Sequence, residues 1–209
     1  MTRPRITRQA ARIAMAPLLL LLQAAPAHAH IVSIRLGDFY AGALHPLTDL
    51  QDVILWTALG ILAGSLGAAR GRGLVLVFPL GLLAGITAAH AFGTALAGPV
   101  VNSGLILLLG LLLAIAPRIP LAGICAIAFA IALIRGAVNA ADLAPQSDRL
   151  LFAAGLTCAG YVTITLMMAL AVAFMQPGST TGWRGIAIRS LGGWVAAIGL
   201  MMLGLSFAT

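Results

Sequence analysis

The chain has 209 residues, of which 61% are hydrophobic and only 8% are charged, and its mean hydropathy is +1.08. Soluble domains carry about 25% charged residues, so this composition excludes a water-soluble enzyme. The formal net charge is +7, yet four of the twelve arginines lie within the first 12 residues. Without that segment, no basic surface remains that would indicate nucleic-acid binding.

Residues 1–29 have the three parts of a secretory signal peptide: four arginines, a short apolar run (MAPLLLLLQ) and the small residues Ala27 and Ala29. We therefore predict cleavage after Ala29, although an uncleaved anchor helix is the alternative. Cleavage makes His30 the first residue of the mature chain. Its α-amine and imidazole then form a chelating pair for a metal ion, unless His30 is simply the residue at which the mature chain begins.

Six further apolar stretches follow, each close to the 20 residues that a bilayer requires. They cover residues 50–69, 74–95, 99–116, 119–138, 149–174 and 186–207, and Gly or Pro occurs in nearly every separator. Backbone exposed to lipid must satisfy its own hydrogen bonds, so stretches of this length are helical. The predicted fold is all-α: a single domain of six transmembrane helices over residues 30–209.

The positions of the arginines predict the orientation of this bundle in the membrane. With the mature amino terminus outside, the inner loops hold Arg70, Arg72, Arg118, Arg184 and Arg189, whereas the outer segments hold Arg35 and Arg149. All five aspartates then lie at or near the outer side. Both the positive-inside rule and the signal peptide predict a multi-pass protein of the bacterial inner membrane, with its mature amino terminus outside.

The richest polar cluster is HPLTDLQD, residues 45–52, at the entrance of the first span. If Pro46 begins the helix, Asp49 and Asp52 share one face and His45 lies just before the first turn. One imidazole and two carboxylates suit a divalent cation. Aspartates in a first helical turn equally suit capping, and spacing alone favours capping.

A second cluster, Arg135, Asn139 and Asp142, lies at the outer end of the fourth span. Arg135 and Asn139 are one turn apart and project together. A guanidinium at that depth requires a partner, and Asp49, Asp52 and Asp142 are the nearest acids by topology. Two further side chains are placed at or near this level, Asn102 and His90; for His90 a hydrogen-bonded core position is favoured over a ligand role.

Two features have mainly structural interpretations. Cys125 and Cys158 both fall in apolar runs, so we interpret them as small buried hydrophobic residues rather than a disulfide. Gly81 and Gly85 allow a close helix approach. Packing within the bundle is favoured over a dimerisation face, which leaves a homo-oligomer as the alternative.

With its signal peptide, histidine start and six spans, the chain resembles the HupE/UreJ family of small membrane proteins, which is associated with nickel or cobalt supply to hydrogenase and urease. The most specific match is FYAGALHPLTDLQD. His45 and Pro46 agree with the family signature, whereas Asp49 stands in place of Gly, Gln51 in place of Asp and Asp52 in place of His.

The fourth span departs from the family in the same manner. Its His-Gly-x-x-His-Gly-x-Glu pattern corresponds here to Arg135, Gly136, Asn139, Ala140 and Asp142, and Asn102 stands where the family tends to have Glu. Imidazole favours nickel, whereas carboxylates favour harder ions. These replacements leave the identity of the ion undetermined. They also raise the alternative that Arg135 supplies the positive charge that a metal ion would otherwise bring.

The resemblance implies a secondary permease that carries Ni²⁺ or Co²⁺ inward and supplies metalloenzyme maturation proteins. The candidate metal ligands are His45, Asp49, Asp52, Asn139, Asp142 and His30. No tightly bound cofactor and no enzymatic activity are expected, because no HExxH motif or nucleophile arrangement occurs. The alternative is a non-transporting family member that acts as a structural or assembly partner in the membrane. The overall architecture favours the permease narrowly.

Overall fold

The computed structural model describes residues 37–92, 98–117, 119–141, 143, 146–175 and 182–208, and it is helical with no strand in these ranges. The predicted signal peptide, His30 and Asp142 lie outside the described residues. The helices are α1 Asp38–Thr48, α2 Leu50–Ser65, α3 Ala68–Phe92, α4 Pro99–Ile115, α5 Leu121–Ala141, α6 Arg149–Phe174 and α7 Trp183–Ser206. The all-α prediction is confirmed for the described part of the chain.

Each of the six predicted apolar stretches corresponds to one helix, α2 to α7. Four of these helices, α3, α5, α6 and α7, are long and apolar enough to cross a membrane. A fifth crossing results if α1 and α2, which meet at an angle of 83°, count as one broken span. The 17 residues of α4 extend about 26 Å, which is less than the hydrocarbon core of about 30 Å. Six spans therefore remain a prediction.

The sequence did not predict α1, and the assumption that Pro46 begins a helix is wrong. Pro46 lies buried inside α1, near its carboxyl end. The break falls at Asp49, which has extended backbone angles (φ −99°, ψ 109°) and whose side chain caps α2 by accepting from Gln51 N at 2.8 Å. The predicted capping role is thus confirmed for Asp49, and Asp52 lies in the first turn of α2.

The helices pack in pairs that are not neighbours along the chain: α3 packs on α5, α4 on α7, and both α1 and α2 on α6. Glycines form these contacts. A Cβ at Gly81 would lie 2.6 Å from the Cβ of Ala132, and one at Gly85 would overlap the carbonyl oxygen of Leu133. The spacing of Gly81 and Gly85 therefore serves packing within the bundle, as predicted.

Because successive helices alternate in direction, the bundle has two ends of different charge. At one end α2, α4 and α6 begin; we call it the aspartate end, because it holds the described aspartates Asp38, Asp49, Asp52 and Asp148. At the other end α3, α5 and α7 begin; we call it the arginine end, because it holds Arg70, Arg72, Arg184 and Arg189.

Between the ends lies an apolar core in which Trp56 packs edge-on against Phe78, with ring centroids 5.4 Å apart. Large apolar side chains such as Trp194 and Met201 are exposed on the outside of the bundle, where a bilayer would cover them. Both cysteines are free. The expectation that both are buried is wrong: Cys158 is exposed on α6 and Cys125 is half-buried.

Candidate functional site

The centre of the aspartate end is Arg135, a fully buried side chain of α5. Its Nε donates to Asp52 Oδ1 at 2.6 Å, and its Nη2 donates to Asp49 Oδ2. Its Nη1 lies 3.3 Å from both Asn102 Oδ1 and Gln51 Oε1. The expected approach of Arg135 to Asp49 or Asp52 is confirmed, and the guanidinium binds both.

Asn139, one helical turn after Arg135, completes this group. Its amide nitrogen donates to Asp52 Oδ2 at 2.9 Å and to the carbonyl oxygen of Arg135 at 2.7 Å. The remaining carboxylate oxygen, Asp49 Oδ1, accepts from the backbone of Gln51. Every oxygen of the two carboxylates therefore already accepts a hydrogen bond. We call Gln51, Asp49, Asp52, Asn102, Arg135 and Asn139 the arginine–aspartate cluster.

The geometry of Arg135 explains why one side chain can hold three helices together. A planar guanidinium presents donors in a fixed fork, so it can bind two carboxylates and still reach an amide oxygen. Asp52 and Arg135 are both fully buried, where ion pairs are screened less than at the surface. The cluster fixes the start of α2, the start of α4 and the last two turns of α5 relative to one another.

The structure brings together three of the six candidate metal ligands, Asp49, Asp52 and Asn139, and places them on Arg135. His45 lies on α1, half-buried, with its ring 5.7 Å from the ring of Phe152. Within the described ranges, no three His, Cys, Asp or Glu side chains form a group that could hold a metal ion. The full ligand set, which includes Asp142 and His30, stays a prediction.

Two buried polar atoms have no hydrogen-bond partner among the described residues: Asn139 Oδ1 within the cluster and Trp56 Nε1 beside it. Trp56 follows Asp52 by one helical turn. Turning the Asn139 amide over would direct its oxygen toward the carboxylate of Asp52, so the present orientation is the favourable one. All four carboxylate oxygens of Asp49 and Asp52 therefore accept hydrogen bonds, whereas Asn139 Oδ1 and Trp56 Nε1 have no partner among the described residues.

Sequence reasoning missed one member of the cluster and misplaced another residue. Gln51 accepts a hydrogen bond from Arg135 with its side-chain oxygen, and its position in the signature, where the family has Asp, was the available signal. His90 is not a core residue: it is exposed, and Arg149 Nη1 lies 2.7 Å from its Nε2. Nearby, Asp38 accepts from the backbone nitrogen of Asp148 at 2.8 Å. That contact joins α1 to the start of α6.

Apolar helices long enough to cross a bilayer, glycine-lined contacts and an ion pair buried among helices define a multi-pass membrane protein. The family model for HupE / UreJ protein matches residues 18–202, which is most of the chain. The chain belongs to the HupE/UreJ family, which is linked to nickel and cobalt transport and is not a family of enzymes. No curated protein and no solved structure matches the chain.

Proposed function

We propose that this protein is a HupE/UreJ-type membrane component of nickel or cobalt supply in which Arg135 takes the place of a bound metal ion. In this role it is a structural or assembly partner rather than a carrier of the ion. The observation that supports the proposal is the fully buried Arg135, bound to both Asp49 and Asp52.

Arg135 already occupies carboxylate oxygens that a metal ion would need, and it already supplies a positive charge there. A divalent cation could bind Asp49 and Asp52 only after Arg135 and the amide of Asn139 had left their oxygens. Breaking a buried pair by removing one partner costs about 3–5 kcal/mol. A displaced guanidinium would also need new acceptors in an apolar bundle. Metal binding at this cluster would therefore have to offset a large local penalty.

Calorimetric titration of the purified protein with Ni²⁺ and Co²⁺ tests the proposal. We expect no binding by the parent protein at millimolar metal. A variant with the family ligands at four positions, Gln51→Asp, Asp52→His, Arg135→His and Asn139→His, should bind Ni²⁺. Micromolar binding by the parent that is lost in Asp49→Asn would overturn the proposal, because the carboxylates would then be open to metal.

A second candidate function is the inward permease for Ni²⁺ or Co²⁺ that the family link suggests. The observation in its favour is partial exposure: the side chain of Asp49 is 33% exposed, and His45 is half-buried on the adjoining helix. Uptake of radiolabelled nickel and cobalt by cells without their own nickel permease measures this function directly. The permease predicts uptake that His45→Ala abolishes, whereas the non-transporting component predicts the background level for both proteins.

We further propose that the aspartate end faces outward and that the protein lies in a bacterial inner membrane. The charge difference between the ends supports this orientation, because arginines accumulate on the cytoplasmic side. Alkaline phosphatase fused after Thr209 should be active, whereas a fusion within residues 176–183 should be inactive. The opposite pattern would reverse the orientation. The intact mass of the purified protein tests cleavage after Ala29, which would leave His30 as the first residue.

A further inference from the structure

The arginine end holds a cavity of about 680 Å³ that the arginine–aspartate cluster does not reach. Its walls come from the ends of α2, α4 and α6 and from the starts of α3, α5 and α7. About half of the wall is apolar, and its apolar side chains include Leu62, Leu112, Leu113, Ile124, Met175 and Ile188. A volume in this range is typical of ligand pockets rather than of packing defects.

Two arginines line the same cavity, Arg70 on α3 and Arg189 on α7. Both are exposed, and the described residues give neither one a hydrogen bond or an ion pair. Their neighbour Arg184 differs, because its guanidinium lies over the rings of Phe174 and Trp183 at 5.9 and 5.6 Å. The cavity therefore combines apolar walls with two cations that lack a counter-ion among the described residues.

The positions of the two arginines along their helices indicate which kind of ligand would fit the cavity. Arg70 is the third residue of α3 and Arg189 is the seventh of α7, so both lie within about 9 Å of a helix start along its axis. If α3 and α7, of 25 and 24 residues, are centred in a hydrocarbon core of about 30 Å, both arginines lie near the level at which headgroups meet acyl chains. A phosphate diester matches the arginine fork, and an acyl chain matches the apolar wall.

We propose that this cavity binds one anionic phospholipid, whose phosphate contacts Arg70 and Arg189 and whose acyl chain lies against the apolar wall. Basic pockets between transmembrane helices on the cytoplasmic side accept anionic headgroups. A free inorganic phosphate would use the two arginines but leave about half of the cavity lining without a partner. The site is separate from the cluster, so its occupancy does not depend on whether the protein carries a metal ion.

Native mass spectrometry of the full-length protein in detergent, titrated with phosphatidylglycerol, tests the site. Each basic residue near an anionic headgroup contributes roughly fivefold to binding, so the double variant Arg70→Gln/Arg189→Gln should bind about 25-fold more weakly. Arg72→Gln is the matched control, since Arg72 is exposed in the same turn of α3 but does not line the cavity. It should bind like the parent.

Three further binding measurements test which ligand the cavity accepts. Phosphatidylcholine should bind much more weakly than phosphatidylglycerol, and inorganic phosphate should not displace the lipid. Arg70→Lys/Arg189→Lys should bind more tightly than the Gln pair but more weakly than the parent, because lysine keeps the charge and loses the fork. Equal binding of the two lipids, or an equal loss in Arg72→Gln, would overturn the proposal in favour of a diffuse charge effect. Complete displacement by inorganic phosphate would also overturn it, because the ligand would then be a free anion.

Discussion

The two ends of the bundle differ in how their charged side chains are paired. At the aspartate end, one guanidinium and two carboxylates lie together, and every carboxylate oxygen accepts a hydrogen bond. At the arginine end, Arg70 and Arg189 border an open cavity and have no ion pair in the described part of the chain. The comparison indicates that a charged side chain in this protein stabilises the fold where its partner is built in and is available to a ligand where it is not.

The largest effect is expected for Arg135→Ala, which leaves Asp52 buried without its cation. Removing one partner of a buried pair costs about 3–5 kcal/mol. The free energy of unfolding, measured in detergent by circular dichroism, should fall by this amount both with and without Ni²⁺. Arg149→Ala, at an exposed position of the same end, is the control and should change stability by less than about 0.5 kcal/mol. Equal losses in the two variants would break the contrast between a buried, ion-paired arginine and an exposed arginine that contacts only His90 among the described residues.

The two aspartates of the cluster should differ as well. Asp52 is fully buried, whereas the side chain of Asp49 is 33% exposed. Asp52→Asn should lower the free energy of unfolding by about 2–3 kcal/mol, since hydrogen bonds to charged groups are the strong ones. Asp49→Asn retains a capping side chain, and the ion pair that it loses is partly exposed and is expected to contribute about 1 kcal/mol. Thermal unfolding of the two variants in the same detergent provides the measurement, and the reverse order would contradict the burial argument.

Glycine packing positions α5, and therefore Arg135, against α3. A methyl at Gly85 would overlap the backbone of Leu133, so Gly85→Ala should destabilise the protein by about 1–2 kcal/mol, as is usual for overpacking. Gly104→Ala is the matched control, because no atom lies within 4 Å of the added carbon. It should be neutral or stabilising by roughly 0.5–1 kcal/mol. Denaturant unfolding compares the two, and equal behaviour would remove the packing explanation.

The smallest effect is expected at the arginine end. Arg189→Ala in detergent without added phospholipid should change the free energy of unfolding by less than about 0.5 kcal/mol, as for most surface substitutions. A loss as large as that of Arg135→Ala would show that Arg189 has a structural partner, and the difference between the two ends would disappear.

The helices and the central ion pair were predictable from the sequence for definite physical reasons. Gly and Pro mark most of the helix ends, and the length of each apolar stretch identified α2 to α7. A buried guanidinium requires an acid, and few acids lie at the level of Arg135, so Asp49 and Asp52 followed from topology. The capping role of Asp49 was predicted for a helix that begins at Pro46, whereas the helix that it caps begins at Leu50.

Other features carried no comparable signal. The pairing of α3 with α5 and of α4 with α7 was not predictable, because helices in lipid are apolar on every side and their periodicity does not identify a partner face. The short α1 was missed because its residues lie outside the apolar stretches. The contacts of Gln51 and His90 could not be predicted, because they depend on side-chain geometry. Gln51 contacts Arg135, and His90 is exposed beside Arg149.

The separation of Asp52 and Arg135 along the chain has a consequence for biosynthesis. Asp52 precedes Arg135 by 83 residues, so at 5–20 residues per second a ribosome makes the aspartate about 4 to 17 s before its partner. During that interval α2 carries carboxylates that are expensive to place in hydrocarbon. Because Asp52 lies buried against Arg135, the start of α2 reaches its final environment only after α5 has been made.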